Sequence, residues 1–155
     1  MSAPTELLLL RIEDIDMRQN RILFRASISK NKRDEYVSIP DAFKAIILES
    51  GILDYSSDHF IFGIDKPAVK NASRLYFYAR NKEILAHLKY DKLVARHSLY
   101  SYKHAGAISL YKAKKDIKLL QYQCRHTSLD QTDRYLRDLA LLTDHDRLKD
   151  WQGAA

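Results

Sequence analysis

The spacing of the apolar residues changes along this chain, and that change limits the folds it can adopt. From residue 22 to residue 28 they recur at every second position, which predicts a β-strand carrying Ile22, Phe24, Ala26 and Ile28 on one face. Residues 36–39 have the composition of a second strand, and the charged segment 29–35 between them is typical of a hairpin turn. We therefore expect a small antiparallel β-sheet near the N-terminus.

Most of the remaining chain has helical spacing. A short helix is expected from Pro4, and Pro40 with Asp41 ends the second strand and starts a helix that stops at Gly51. That helix is expected to carry Phe43, Ile46 and Ile47 on one face. A long helix is predicted over residues 71–88, and three more follow, which begin near Ser98, near Ile117 and at Ser128, where Gln131 completes a capping box. The predicted fold class is α+β, mostly helical.

Length and composition restrict the function further. The 155 residues fit one domain, and a net charge of +6 suits a polyanionic partner. Cys124 is the only cysteine, which excludes an intramolecular disulfide and a cysteine-rich zinc site and favours a reducing, cytoplasmic location. A run of four leucines is too short for a signal peptide or a membrane span, and four glycines leave little room for a phosphate-binding loop.

Three segments carry a more specific pattern. In HTSLDQTDRYL, residues 126–136, His126 precedes Tyr135 by nine positions. Upstream lie LYSYKHAGAISLYKAKKDIKLLQYQ, residues 99–123, and PTELLLLRIEDID, residues 4–16. Taken alone, Tyr135 would be a core tyrosine on the apolar stripe of its helix, and His126 a surface or capping histidine. The order and spacing of all three segments give these two residues a different interpretation.

Together the segments resemble the catalytic domain of the tyrosine recombinases, the phage and transposon integrases. In the family, this middle segment usually contains the motif H-x-x-R, which carries the second catalytic Arg. Here Tyr100 stands at the His of that motif and Lys103 at the Arg. The segment YSYKHAGA resembles a Bacteroidetes-type subgroup that carries Lys at this Arg position. The resemblance implies that Tyr135 attacks a DNA phosphate, forms a 3′-phosphotyrosyl link and releases a 5′-hydroxyl, without metal, cofactor or ATP. It also implies the fold of that domain over residues 1–155.

The chemistry requires cations and hydrogen-bond donors around a developing phosphorane. By the resemblance, Lys103 and His126 meet that charge, Tyr100 donates a hydrogen bond, and Lys30 protonates the leaving oxygen, with Lys32 as the alternative. Each of these positions has an ordinary explanation as a solvated or packing residue. Further contacts to double-stranded DNA are expected from Lys32, Arg33, His104 and Arg125.

The sequence departs from the family at its start. The family usually carries an Arg three positions before Glu6, and this chain has Ala3 there. The first helices of the family's domain and a DNA-clamping domain are also expected in a longer protein. The resemblance implies that this longer protein is associated with the nucleoid and assembles as a homotetramer on paired DNA sites. Exchange of residues 142–155 between subunits is expected to join the tetramer. A degenerate homologue that binds DNA without cutting it is the main alternative. A basic helical RNA-binding or regulatory domain and a type IB topoisomerase are weaker ones.

Overall fold

The computed structural model describes residues 4–87 and 99–139, which fall into two compact units, Met1–Leu99 and Tyr100–Ala155. Each unit is described by itself. The expectations for Ala3, for a helix start at Ser98 and for segment exchange by residues 142–155 lie outside the described residues.

The first unit contains the predicted sheet. Helix α1 (Pro4–Leu8) and a short 3₁₀ turn precede strands β1 (Ile15–Asp16), β2 (Arg21–Phe24) and β3 (Glu35–Ser38), which pair antiparallel in that order. Ile22 of β2 lies opposite Ile15 on one side and Val37 on the other. The predicted β2 is too long, because the chain turns at Arg25, whose carbonyl accepts the N–H groups of Ile28 and Ser29. Strand β1 was not predicted, because its two residues lie in a polar segment.

The helices of the first unit begin and end close to the predicted positions. Helix α2 (Asp41–Glu49) starts after Pro40, and Gly51 follows it in the left-handed conformation at φ 63°. Helix α3 is described over Arg74–His87. Of the three apolar residues predicted to share one face of α2, only Ile47 is buried, and Ile46 is 58% exposed. Helical spacing shows which residues share a face, but not how much of that face meets the rest of the unit.

The second unit consists of three described helices, α4 (Leu99–Lys114), α5 (Ile117–Cys124) and α6 (Leu129–Asp138). The side chain of Asp116 caps α5, and Ser128 caps α6 by accepting the N–H of Gln131, as predicted. Leu120 and Leu136 are fully buried at the centre of the unit, packed with Ala107, Cys124 and Tyr135. Burial of one such leucine contributes about 1.5–3 kcal/mol, so these contacts hold α5 and α6 together.

The mostly helical fold with a small N-terminal sheet is confirmed. Within residues 4–87 and 99–139, none of the helices has the length and apolar character needed to span a bilayer.

Candidate active site

Tyr135 lies on α6 with only 7% of its surface exposed. Its hydroxyl is 2.8 Å from Nδ1 of His104 on α4. The two rings are stacked, with centroids 5.5 Å apart and planes 23° from parallel. The ring of His126 meets the same phenol edge-on at 5.4 Å. The structure thus places the predicted nucleophile between two imidazoles.

The start of α6 explains how Tyr135 and His126 come together. Because Ser128 begins the helix, Thr132, Tyr135 and Leu136 follow at helical spacing and share its buried face. Thr132 is fully buried, and its hydroxyl lies 3.0 Å from Nδ1 of His126. This contact fixes the orientation of an imidazole that sits just before the helix. The predicted pair of His126 and Tyr135 is therefore brought into contact.

Arg125 makes the turn that delivers His126 to the site. It follows α5 in the left-handed conformation, at φ 55° and ψ 43°, and its N–H bonds to the carbonyls at the end of that helix. Glycine adopts this conformation without steric cost, which is why related sequences are expected to carry Gly here. Only 4% of the Arg125 surface is exposed, so this residue is part of the interior of the unit.

The surroundings of Tyr135 keep its hydroxyl protonated. Burial raises the pKa of Tyr135 to about 12, and the neighbouring Cys124 adds to this effect. The pKa of the Cys124 thiol is itself raised by burial, against an opposing effect of the Lys103 ammonium. A phenol in this environment does not ionise near neutral pH, so its attack on a phosphate requires a base that takes the proton.

Helix α4 presents the other candidates from one face. Tyr100, Lys103 and His104 are three and four positions apart and all half-buried, and Ala107 continues the same face into the core. The Lys103 ammonium lies 3.5 Å from the carbonyl oxygen of Cys124, which is at the end of α5. His104 was predicted to contact DNA, and its contact with Tyr135 was not predicted. The spacing from Tyr100 to Ala107 places His104 on the inner face of α4, but it does not identify Tyr135 as its partner.

The predicted basic hairpin belongs to the first unit. Lys30, Lys32 and Arg33 are exposed in the loop between β2 and β3. The buried carboxylate of Glu6, on α1, accepts the backbone N–H of Lys30 at 2.7 Å. Glu35 accepts hydrogen bonds from Asn31 and Arg33 within the same loop. Glu6 thus holds the loop backbone at Lys30, and Glu35 holds the side chains of Asn31 and Arg33, while the Lys30 side chain lies at the surface.

The model of the Phage integrase family matches residues 4–140. The chain belongs to the phage integrase family. The resemblance seen in the sequence is thereby confirmed at the level of the family. No curated protein sequence matches the chain.

Two solved structures share this integrase fold. A post-cleavage complex of the XerH site-specific recombinase with palindromic difH is 16% identical, with a TM-score of 0.59 over 97% of this chain. A pre-cleavage complex of XerH with difH is 17% identical, with a TM-score of 0.61 over 98% of this chain. The chain spans 42% and 43% of the length of those two proteins.

No group of three or more His, Cys, Asp or Glu side chains that could hold a metal ion occurs within residues 4–87 and 99–139.

Proposed function

We propose that this chain is the catalytic domain of a site-specific DNA recombinase, with Tyr135 as the nucleophile. The observation that carries the proposal is the contact between the Tyr135 hydroxyl and an imidazole nitrogen, 2.8 Å away, in a chain of the phage integrase family. The net charge of +6 and the likeness to a recombinase solved on DNA support double-stranded DNA as the substrate.

The proposed reaction exchanges one phosphodiester for another. The Tyr135 oxygen bonds to the scissile phosphorus, the bond to the 5′-oxygen breaks, and a 3′-phosphotyrosyl link remains until the 5′-hydroxyl of a DNA strand reverses the step. Lys103 and His126 stabilise the added negative charge, and Tyr100 donates a hydrogen bond to the phosphate. A lysine is a point charge without the two-pronged geometry of arginine, so Lys103 orients the phosphate less firmly than arginine does.

The exposed hairpin has two proposed roles. Lys30 donates the proton that the leaving 5′-oxygen needs, with Lys32 as the alternative donor, and Arg33 contacts the DNA backbone. All three side chains are exposed, and the carboxylate of Glu6 holds the backbone of Lys30 in place.

We further propose a longer protein with a DNA-clamping domain that assembles as a homotetramer on paired sites. The chain's 42–43% coverage of XerH supports such a length.

The burial of Tyr135 adds a requirement to this mechanism. A hydroxyl that is bonded to His104 inside the unit has to reach a phosphate before it can attack. We expect DNA binding to bring the phosphate to this face of α4 and α6 and to uncover the hydroxyl.

The test is covalent trapping on nicked DNA. Nicked duplexes of randomised sequence release a short strand after cleavage, so a phosphotyrosyl adduct cannot be reversed and accumulates on a denaturing gel. We expect an adduct with the unaltered protein and none with Tyr135→Phe. Tyr122→Phe is the matched control, because Tyr122 lies on α5 with 48% of its surface exposed and is expected to leave the adduct unchanged.

A non-cleaving DNA-binding protein is the second candidate. It is favoured by Lys103 in place of the usual Arg and by Ala3 at the position of the first Arg. A protein that binds the duplexes tightly, forms no adduct, and gains none when Ala3→Arg is introduced would be such a binder, and the proposed cleavage would then be wrong.

A further inference from the structure

The Tyr135 hydroxyl has one described nitrogen within hydrogen-bond distance, and that nitrogen belongs to His104. The sequence pattern gives His104 no catalytic role. It assigns phosphate contacts to Tyr100, Lys103 and His126, and none of these assignments explains where the proton of the attacking phenol goes. Burial makes that proton hard to remove, since it raises the pKa of Tyr135 to about 12.

The neighbouring groups are poorly suited to accept this proton. His126 meets the Tyr135 ring edge-on with centroids 5.4 Å apart, whereas Nδ1 of His104 lies 2.8 Å from the Tyr135 hydroxyl. The Lys103 ammonium has no lone pair to offer and lies at the carbonyl of Cys124. Tyr100 is a phenol, which is a far weaker base than a neutral imidazole.

We propose that His104 is the general base that takes the proton of Tyr135 when the phenol attacks DNA. This inference rests on the proposed function. Neutral His104 carries its proton on Nε2 and accepts the Tyr135 hydroxyl at Nδ1. As the oxygen bonds to phosphorus, the proton moves to Nδ1 and the bond to the 5′-oxygen breaks, with Lys30 protonating that oxygen. In the reverse step the 5′-hydroxyl gives its proton back to Lys30 as its oxygen attacks phosphorus, the bond to the Tyr135 oxygen breaks, and Nδ1 of His104 returns its proton to that oxygen.

Two features of the site favour transfer along this path. The donor and acceptor are already 2.8 Å apart, within the range that proton transfer needs. The rings are stacked, and both belong to helices, so their separation is fixed by the packing of α4 and α6 around Leu120 and Leu136. A preorganised base of this kind typically contributes about 100-fold to 10,000-fold in rate.

The first experiment reads the hydrogen bond without any DNA. Nitrogen NMR of histidine-labelled protein reports which ring nitrogen of His104 carries the proton. We expect the Nε2–H form, with an Nδ1 shift that changes in Tyr135→Phe and stays the same in Tyr122→Phe. A proton on Nδ1 at neutral pH would overturn the proposal, because His104 would then be a donor to Tyr135. This result stands even if no DNA cleavage is found.

The second experiment distinguishes the proposed base, His104, from the proposed leaving-group acid, Lys30, by testing which chemical change restores the activity of each variant. On the trapping substrate, His104→Ala is expected to slow adduct formation by about 100-fold or more. A ring-fluorinated tyrosine at position 135 is more acidic and needs less help to ionise, so it should reduce that loss by about tenfold. It should not rescue Lys30→Ala. A DNA with sulfur in place of the 5′-oxygen should rescue Lys30→Ala but not His104→Ala, because a thiolate leaves without a proton.

The pattern of rescue decides the role. If fluorinated tyrosine fails to rescue His104→Ala, then His104 has only a structural role. Exposed His87→Gln serves as the control for histidine replacement and is expected to react at the unaltered rate. A complete absence of adduct in every variant, including the unaltered protein, would refute the proposed function and leave the NMR result as the measure of the His104 contact.

Discussion

Tyr135 combines a core position with a polar group that has to be satisfied. A buried hydroxyl without a partner costs about 1–3 kcal/mol, and the contact with His104 at 2.8 Å removes that cost. The rest of the ring packs against Leu136, Cys124 and the other members of the cluster. The same side chain therefore stabilises the second unit and carries its proposed reactivity.

The burial of Tyr135 predicts a pH dependence of stability. Its pKa is about 12 in the folded chain, compared with an ordinary value of 10.0, so folding favours the protonated phenol. The resulting stabilisation, roughly 3 kcal/mol at most, is complete below about pH 10 and is lost as the pH rises through about 12. The free energy of unfolding in urea should fall more steeply over this range in the unaltered protein than in Tyr135→Phe. Parallel curves would show that the phenol ionises without unfolding.

Among the helices and turns, the two glycines at positions 51 and 106 show how local structure sets the effect of one substitution. Gly51 ends α2 at a positive φ, where an added Cβ would also lie 3.3 Å from a carboxylate oxygen of Asp54. Gly106 is exposed within α4, and an added Cβ there would have no neighbour within 4 Å. Position 51 therefore favours glycine, whereas position 106 favours alanine.

We expect Gly51→Ala to destabilise the protein by about 1–2 kcal/mol, because alanine pays the steric cost of the left-handed conformation. Gly106→Ala is expected to stabilise it by about 0.5–1 kcal/mol, because alanine loses less entropy in a helix. Urea denaturation followed by circular dichroism measures both changes. Equal effects of the two substitutions would contradict the assigned backbone conformations.

The same local rules explain how far the sequence could be interpreted. Gly51, Ser128 and the alternating residues of β2 were predictable, because caps, turns and strand periodicity act over a few neighbouring residues. The exposed side of α2 was not, because burial depends on which elements pack against Ile46 and Ile47. The spacing of His126 and Tyr135 pointed to one contact. The partnership of His104 with Tyr135 required the packing of α4 against α6, which no short motif encodes.

For the whole molecule, the excess of positive charge is the property that bears most directly on a DNA partner. The chain carries 26 Lys and Arg against 20 Asp and Glu. Cations that contact phosphates release counterions from DNA, so affinity falls as salt rises.

We expect the affinity for duplex DNA to fall linearly with salt on logarithmic axes. If about six phosphates are contacted, the loss should approach a thousandfold between about 50 and 200 mM salt. Replacing Lys30, Lys32 and Arg33 together with Ala should reduce the slope by up to about three, and fluorescence anisotropy of a labelled duplex measures it. An unchanged slope would exclude the hairpin from the DNA contact.

The buried position of Tyr135 also bears on whether such a protein would cleave chromosomal DNA at unintended sites. If Tyr135 cuts DNA as proposed, it is a potential source of breaks in any chromosome that it meets by chance. In the described structure Tyr135 is buried, burial raises its pKa to about 12, and its hydroxyl lies 2.8 Å from Nδ1 of His104. The packing that stabilises the core of the second unit therefore also keeps the proposed nucleophile away from DNA that is bound elsewhere.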